Sequence, residues 1–288
     1  MASTGVNTIS TKTYRDKYRM ATLDKILRNA LIAEKICLVD RTDAKTIQNP
    51  YGSQPTTQIT SLTGTYRIDD YTTTDDTLTV AYEFKVAEQV YDFEQTLSQF
   101  DLFASRADEQ MYSIAVSIDQ YVLNKLTDDA TSSYTTPAGG FTTAANFNTI
   151  MGALISKVAG YAEVYNGLFL VVENTDLAGI VVAQATNGFS YADAALNNGF
   201  VQSYMGVDIY VARTGTFTNT DIADHTDQNS GHRVFGVKKM ATYAAPRGIQ
   251  FEEKAVSAKT GKELVSYGLI GFKLWATKAA LIVDITIA

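Results

Sequence analysis

The sequence predicts an α+β protein in which one long helix lies across β-sheets, and three features of the 288-residue chain support that prediction. The first is an unbroken amphipathic pattern over residues 102–126, with sequence typical of strands on both sides of it. The second is a period-two alternation over residues 78–86. The third is a unit at 143–213 in which helical and extended patterns alternate. Together they predict a spine helix, a β-hairpin and a compact α/β unit.

The composition is that of an ordered globular chain with an acidic surface. Hydrophobic residues make up 45% of the chain and charged residues 19%, and the 17 Tyr residues favour strands. The formal net charge of −7 argues against a protein that grips nucleic acid through counterion release, although an acidic shell can still surround DNA. The single cysteine, Cys37, excludes an internal disulfide framework and a multi-cysteine zinc site, and its apolar neighbours indicate a buried, inert thiol.

No targeting or membrane segment is predicted. The N-terminus has no basic region followed by an apolar run, so no secretory signal is expected. The longest apolar stretches, such as residues 279–283, are far too short to cross a bilayer. We therefore expect the chain to be made in, and to stay in, a cytoplasm-like compartment.

The N-terminal 21 residues are polar and have no periodicity, which predicts an extended arm that becomes ordered by lying on another surface. Basic and aromatic residues are mixed at 14–19, from Tyr14 to Arg19, and this mixture could contact nucleic acid. The acidic chain as a whole favours an arm between subunits instead. A short amphipathic helix capped by Thr22 and a brief strand at 36–39 are predicted to follow.

Residues 41–57 are predicted to form a loop, with a turn at residues 49–52. The hairpin is expected to pair residues 58–68 with residues 78–86 through the polar connection 69–76. Because a hairpin with one apolar face and so polar a tip cannot bury itself alone, we expect it to project and to pack on a neighbouring chain. Its apex is expected to be mobile in an isolated subunit.

The second half of the chain predicts the α/β unit and a closing sheet. Residues 135–140 are a linker and the best candidate for a subdomain boundary, followed by a helix from about Thr143. A fully buried strand at 168–172, a helix capped by Asn174 or Thr175, and a strand at 206–211 come next. A polar loop at 214–232 precedes a strand at 233–245. The remaining strands, at 249–255, 264–275 and 281–285, are predicted to share one closing sheet.

The usual catalytic signatures are missing from the sequence, which contains no dinucleotide fingerprint, phosphate-binding loop, nucleophile elbow or zinc-protease motif. One polar cluster has metal-binding residue types at a suitable spacing, namely Asp224, His225, Asp227 and His232. It lies in a loop rich in Asn and Ser, where solvation alone accounts for such residues. We therefore predict no catalytic, cofactor-binding or metal site.

Two lysines beside the hairpin have a possible covalent role. Lys45 and Lys85 carry amines that could cross-link to an Asn side chain of a neighbouring chain. Isolated lysines in such positions are ordinarily solvated, and we adopt that interpretation. The Tyr-rich strands are likewise expected to form core and interface rather than a ligand-stacking platform.

The order of these parts resembles the major capsid protein of tailed bacteriophages, which has the Hong Kong 97-type fold. Short stretches add to the resemblance. The segment 170–174 looks like the strand-to-helix passage of that family's inserted unit. Residues 198–201 and 205–210 are similar to its small-residue turn and following strand, and residues 268–272 with Trp275 look like its closing strands. The ordered combination, rather than any one motif, carries the resemblance.

The resemblance implies a division of the chain and a function. Residues 1–35 would be the N-terminal arm and short helix, 36–95 the hairpin region called the E-loop, 96–140 with 246–288 the peripheral domain, and 141–245 the axial domain. The chain would not be an enzyme. It would assemble with itself as hexamers and pentamers into an icosahedral shell that encloses double-stranded DNA without sequence-specific binding, located in the virion after assembly in the host cytoplasm.

The resemblance leaves other partners and two other classes of protein open. A separate scaffold, a portal and decoration proteins are possible partners, and the family's cross-linking residues have no match that we can assign. A cargo-enclosing encapsulin shares the fold. An α/β enzyme built on residues 143–213 is the dissimilar alternative, and it lacks a recognisable catalytic set.

Overall fold

The computed structural model describes residues 31–52, 72–91, 102–186, 200–217, 231–246, 249–255 and 261–288, together with the single positions 57, 59, 64 and 65. Within this part of the chain the architecture is mixed α+β, as predicted. One long helix contacts strands of two larger sheets, and a separate two-stranded sheet stands beside them. None of the described helices is long and apolar enough to cross a membrane.

The α-helices of the described residues are α1 (Ile32–Ile36), α2 (Leu102–Asp129), α3 (Ala144–Val158) and α4 (Leu177–Thr186). Three of these four helices confirm helical predictions, whereas α1 lies beyond the helix predicted from Thr22 and includes Ile36, which was predicted to begin a strand. The spine helix α2 has 28 residues and is therefore about 42 Å long. Its apolar stripe is buried, with Ile114, Ile118, Val122 and Leu126 almost inaccessible to solvent. The predicted helix that begins near Thr22 lies outside the described residues.

The α/β unit is built on a six-stranded sheet whose order is β5-β13-β9-β6-β8-β7. Its strands are β5 (Ser132–Thr135), β6 (Leu168–Glu173), β7 (Phe200–Tyr204), β8 (Val207–Ala212), β9 (His232–Val237) and β13 (Ile282–Thr286). Every residue of β6 is buried, which confirms the prediction of a strand covered on both faces.

The position of the last strand differs from the prediction. β13 was expected to complete the closing sheet, but it lies in the six-stranded sheet, parallel to β5 and antiparallel to β9. Consecutive residues Ile282 and Val283 are both buried, as is Ile285. A strand that is apolar on both faces needs cover on both faces, and in the six-stranded sheet β13 lies between β5 and β9 and contacts α2.

The second large sheet has five strands in the order β1-β10-β12-β11, and β4 pairs with the long strand β12. The strands are β1 (Leu38–Asp40), β4 (Tyr82–Tyr91), β10 (Ala241–Ala244), β11 (Ile249–Ala255) and β12 (Gly261–Leu274). The prediction of one strand at 233–245 is wrong, because β9 and β10 belong to different sheets. Lys239 between them has φ 65°, a left-handed conformation that redirects the chain from one sheet to the other.

The two-stranded sheet is a hairpin with arms other than those predicted. β2 (Thr46–Gly52) pairs antiparallel with β3 (Thr73–Thr79). The predicted turn at 49–52 is therefore strand, and Pro50 is tolerated there because β2 pairs on one side only among the described residues. Most of the predicted first arm, 58–68, lies outside the described residues.

The predicted second arm, 78–86, is split between two sheets. After β3 ends, the chain turns at Val80 and continues as β4, which pairs with β12. Tyr82 and Phe84 then pack against Tyr121 of the spine helix. The centroid of the Tyr121 ring lies 5.0 Å from that of Tyr82 and 6.0 Å from that of Phe84. Burial of these two large rings on the body stabilises the split arrangement more than a longer, exposed hairpin could.

Candidate assembly site

The predicted metal-binding residues are not brought together among the residues that the structure describes. Asp224, His225 and Asp227 lie outside them. His232, at the start of β9, places Nδ1 2.7 Å from Oδ1 of Asp284 on β13, so this imidazole joins two neighbouring strands. In the described ranges no group of three or more His, Cys, Asp or Glu side chains is arranged to hold a metal ion.

The two lysines beside the hairpin occupy different positions. Lys85 lies on the exposed face of β4, and its Nζ is 3.3 Å from Oε2 of Glu83. Such an exposed ion pair contributes under about 1 kcal/mol, in keeping with a solvated lysine. Lys45 precedes β2, and its carbonyl oxygen accepts a 2.9 Å hydrogen bond from the N–H of Val80. The basic and aromatic stretch at 14–19 lies outside the described residues.

The hairpin joins the body at its foot, where the open ends of β2 and β3 reach the five-stranded sheet. Leu78 is buried there against Trp275 and Ala244, in a small apolar cluster separate from the main core. The indole Nε1 of Trp275 donates a 2.9 Å hydrogen bond to Oγ1 of Thr242, which holds the ring in place. A Cβ at Gly271 would lie 2.9 Å from the carbonyl oxygen of Thr79, so only glycine permits this close approach.

A charged contact reinforces the apolar foot. The Asp76 carboxylate accepts a 3.0 Å hydrogen bond from the N–H of Ala276 and lies 3.1 Å from Nζ of Lys273. Burial raises the pKa of Asp76, but the hydrogen bond from Ala276 and the charge of Lys273 outweigh that effect and hold the pKa below its ordinary value. The expectation that nothing in its own chain holds residues 69–76 is therefore wrong for Asp76, while residues 69–71 lie outside the described residues.

Beyond its foot, the hairpin is exposed and polar. In β3 only Leu78 is fully buried, and the residues at 73–75, which lead away from the body, are all exposed. In β2 the exposed positions are Thr46, Gln48 and Pro50. Two exposed strands with few apolar contacts of their own are marginal in water, so within this chain the element depends on the contacts at its foot.

The spine helix is connected to the five-stranded sheet by a polar network. Arg106 of α2 makes two hydrogen bonds to the Glu88 carboxylate on β4 and one to Glu109 on its own helix. The buried Gln110 donates to Glu88 and to the carbonyl oxygen of Leu264, and it accepts a 2.9 Å hydrogen bond from Ser266. Burial raises the pKa of Glu88, but the bonds from Arg106 and Gln110 lower it further than burial raises it. These contacts fix the register of the helix on the sheet.

In the part of the chain that the structure describes, the opposite face of that sheet is partly exposed. Along β12, Leu264, Ser266 and Gly268 are buried, while of the alternate residues Val265 and Tyr267 are half-buried and Leu269 is exposed. Charged residues of the neighbouring strands flank this apolar line, namely Glu83 and Lys85 of β4 and Glu252 and Lys254 of β11. An apolar centre with a charged rim is the composition of a contact surface between proteins.

In contrast to this partly exposed face, a buried ionic cluster lies where β6 ends and β9 begins in the six-stranded sheet. Arg233 of β9, whose side chain is only 6% exposed, pairs with Asp176 and lies 3.3 Å from Glu173. Glu173 also accepts hydrogen bonds from the backbone N–H groups of Gly215 and Phe217, and the guanidinium lies over the Phe217 ring. Through the bonds from Gly215 and Phe217, the cluster ties the 213–217 turn to the end of β6.

The contacts at the hairpin foot escape sequence reasoning. Asp76 and Ala276 are 200 positions apart in the sequence, and Leu78 and Trp275 are almost as far apart. No local sequence pattern relates the members of either pair. The sequence points to one of these residues, Trp275, because it is the only tryptophan and so large a side chain is expected to be buried. The sequence does not predict which residue it contacts. The site as a whole consists of the hairpin with its foot on the five-stranded sheet, the partly exposed face of that sheet, and the polar network that joins the sheet to the spine helix.

Comparison with known proteins finds similarity in structure only. No protein-family model and no curated protein sequence matches the chain. Solved structures do match over its whole length. The capsid of the cyanophage P-SCSP1u is 12% identical with a TM-score of 0.70, and the match covers 100% of this chain and 93% of that one.

Two further structures extend the comparison. The capsid of an empty GTA particle is 16% identical with a TM-score of 0.67, over 100% of this chain and 95% of that one. A virus-like particle from Pyrococcus furiosus is 9% identical with a TM-score of 0.58, over 94% of this chain and 99% of that one. The chain therefore has the mixed α+β fold of phage capsid proteins, in agreement with the resemblance drawn from its sequence.

Proposed function

We propose that this chain is the major capsid protein of a tailed bacteriophage, which assembles with itself into an icosahedral shell around double-stranded DNA. One observation carries the proposal: the chain matches capsid chains from end to end, with almost nothing left over on either side. A shared domain inside a larger enzyme would leave long unmatched stretches. A protein of this size and shape with a projecting hairpin has the parts that a shell subunit needs.

The described contacts support different roles for two parts of such a subunit, one that contacts neighbouring subunits and one that is stabilised within its own chain. The hairpin β2–β3 reaches outward from an apolar foot, and the open face of the five-stranded sheet offers a surface for a neighbour. The buried ionic cluster makes the α/β unit rigid within its own chain. The hairpin has few stabilising contacts in a single subunit, and the neighbouring sheet face has apolar residues that a single subunit does not fully bury. This is the arrangement expected of subunits that pack on one another.

In the Hong Kong 97-type description, residues 36–95 form the E-loop, with β2 and β3 as its hairpin. Residues 96–140 and 246–288 form the peripheral domain around the spine helix, and residues 141–245 form the axial domain at the local symmetry axis. Residues 1–35 form the N-terminal arm and short helix, and the arm at 1–21 lies on a neighbouring subunit. Hexamers and pentamers of this subunit close the shell.

The remaining partners follow from that role. A separate scaffold, a portal and decoration proteins are candidate partners of the assembled shell, and in this proposal the packaged DNA is enclosed without sequence-specific binding. Assembly takes place in the host cytoplasm and the mature location is the virion. The proposed role is structural.

A second candidate is an encapsulin-type shell that encloses protein cargo. The similarity to the virus-like particle from Pyrococcus furiosus favours keeping it, because that match also extends over nearly the whole chain. Its TM-score of 0.58 is lower than the 0.70 of the cyanophage capsid, so the phage capsid is the preferred candidate.

Electron microscopy of the purified full chain tests the proposal. We expect closed shells with five-fold and six-fold clusters of subunits. A protein that stays monomeric at high concentration, with the hairpin protected from hydrogen exchange, would contradict it. Particles recovered from the natural source then separate the two shells, since nuclease-resistant double-stranded DNA inside them supports the phage capsid and a folded protein cargo supports the encapsulin.

A further inference from the structure

A cleft lies between the spine helix and the turn that follows β8. It has a volume of about 400 Å³, and the described residues that line it are Tyr112, Ser113, Val116, Ser117 and Gln120 of α2 with Arg213 and Thr214 of the turn. A volume of this size is within the range of sites that hold a small molecule. We call it the Arg213 cleft.

The turn that forms one side of the cleft is held in place from two directions. From α2, the Gln120 amide donates a 3.3 Å hydrogen bond to the carbonyl oxygen of Gly215, and the Asn124 amide donates a 3.0 Å hydrogen bond to that of Thr216. From β6, the Glu173 carboxylate accepts a 3.1 Å hydrogen bond from the N–H of Gly215. The two sides of the cleft are therefore fixed relative to each other before a ligand binds, which lowers the entropic cost of binding.

The side chain of Arg213 is not used in holding this turn. Its carbonyl oxygen accepts hydrogen bonds from the N–H and the Oγ1 of Thr216, so the backbone is fixed at this residue. Its guanidinium is exposed and has no ion pair or hydrogen bond among the described residues. The hydroxyl groups of Ser113 and Thr214 likewise have no described partner. One charged donor and two neutral donors are thus available at the cleft.

The charge around the cleft favours an anion. None of the described residues that line it is acidic. Acids of the adjoining segments face other partners, since Glu109 pairs with Arg106 and Glu173 lies 3.3 Å from Arg233. An unpaired guanidinium beside hydroxyl donors attracts an oxyanion, and the absence of a described carboxylate disfavours a metal cation.

The placement of the donors favours a phosphate group over a carboxylate. Ser113 lines the cleft from the helix, whereas Arg213 and Thr214 line it from the turn. A tetrahedral phosphate group has oxygens that point to both sides at once, and each is a strong acceptor. A carboxylate has two oxygens in one plane, on one side of its carbon. Tyr112 and Val116 add an apolar portion to the lining, which suits the organic part of a phosphate ester.

We propose that the Arg213 cleft binds a phosphate group, with Arg213 as the charged partner and Ser113 and Thr214 as hydrogen-bond donors. The group belongs either to DNA inside the shell or to a free phosphate ester. The choice of DNA rests on the proposed function, whereas the phosphate site does not. A contact to phosphate carries no sequence information, so it agrees with enclosure of DNA without sequence-specific binding.

Titration of the isotope-labelled full chain with inorganic phosphate, at constant ionic strength, tests the site by nuclear magnetic resonance. We expect saturable shifts at Ser113, Arg213 and Thr214 and none in the buried strand β6. Absence of saturable shifts at the cleft would overturn the proposal. This measurement uses the unmodified chain and does not depend on the folding of any variant.

Two variants identify the charged partner. Arg213→Gln should weaken phosphate binding at least about tenfold, because a hydrogen bond from a charged donor is lost. The matched control is Arg41→Gln, at an exposed arginine that pairs with Glu34, and it should keep the affinity within about twofold. Equal affinity in Arg213→Gln and the unmodified chain, or an equal loss in the control, would overturn the proposal.

A short DNA duplex, a ribose phosphate and a peptide of glutamate residues separate the sources of the anion. Shifts with DNA at the same residues, lost in Arg213→Gln, support the packaged DNA. Shifts with phosphate and ribose phosphate but not with DNA support a free ester. Tighter binding of the peptide than of phosphate would overturn the proposal in favour of an acidic partner protein.

Shell formation is scored separately by electron microscopy. Shells whose subunits do not bind phosphate at the cleft would contradict the phosphate site alone. A chain that binds phosphate there but forms no shells would contradict the proposed function alone.

Discussion

The six-stranded sheet and the β2–β3 hairpin are both made of short strands, yet they are stabilised in opposite ways. All six residues of β6 are buried, whereas β3 buries Leu78 and leaves most of its other residues exposed. The sheet is stabilised by a continuous core shared with α2 and α3. The hairpin is stabilised by a small apolar foot and one charged contact. The difference shows that, among the described residues, the sheet is buried within one chain while the hairpin is buried only at its foot.

The charged groups of the two regions differ in the same way. The cluster of Arg233, Asp176 and Glu173 is buried and satisfied within the α/β unit. The hairpin carries its charge at Asp75 and Asp76, and the latter contacts Lys273 at the point where the hairpin meets the body. Substitutions in the first region should therefore affect global unfolding. Substitutions in the second should affect the attachment of the hairpin.

The largest effect is expected from Arg233→Ala. Removal of the guanidinium leaves the carboxylates of Glu173 and Asp176 buried without a cation, at a cost of about 3–5 kcal/mol in the free energy of unfolding. Chemical denaturation measures it. Lys125→Ala, which breaks an exposed ion pair on α2, is the control and should cost at most about 0.5 kcal/mol. Equal losses in the two variants would mean that burial of the cluster has no energetic consequence.

Leu78→Ala should loosen the hairpin without unfolding the sheet. The truncated side chain leaves a cavity against Trp275, which costs about 2–4 kcal/mol in the attachment of β2 and β3. Hydrogen exchange should therefore speed up at 46–52 and 73–79 and stay unchanged at 168–173. Thr77→Ala, at an exposed position on the same strand, should change neither region. Faster exchange throughout the sheet would show that the hairpin and the core unfold together.

Asp76→Asn should have a smaller effect, with a defined pH dependence. The lowered pKa of Asp76 means that its contact with Lys273 and Ala276 is at full strength above the ordinary pKa of 3.8 and is lost as the pH falls below that value. The substitution should weaken hairpin protection by about 1 kcal/mol at pH 7 and by much less at pH 3. Asp75→Asn is the matched control on the exposed side of the strand. A loss that is equal at both pH values would exclude the carboxylate as its cause.

The smallest effect is expected from Lys85→Ala, which removes an exposed pair with Glu83 and should change the free energy of unfolding by less than about 0.5 kcal/mol. The same variant tests the cross-linking hypothesis. Assembled shells, boiled in detergent and separated by electrophoresis, should run as single chains with or without Lys85. A ladder of larger species that disappears in the variant would show that this lysine forms a covalent bond.

The local sequence pattern was sufficient to predict each helix that buries one apolar stripe and each strand that buries both of its faces. The buried face of the spine helix, of α3 and of β6 can be predicted from the local sequence. A period of 3.6 residues marks the buried side of a helix, and an unbroken apolar run marks a strand that is buried on both sides. The mixed α+β class and the order of the parts follow from the same signals. The absence of a recognisable catalytic set is equally a property of the residues themselves.

The partners of the strands were decided by tertiary structure. Residues 78–86 alternate as one strand would, but the chain divides them because Tyr82 and Phe84 gain burial on Tyr121 while Leu78 gains it on Trp275. β13 carries enough apolar residues for either large sheet and occupies the one that covers both of its faces. Amino-acid order thus determined which segments form strands and helices. Only the competition between distant apolar surfaces, which no local period records, determined where each strand lies and how the hairpin is held.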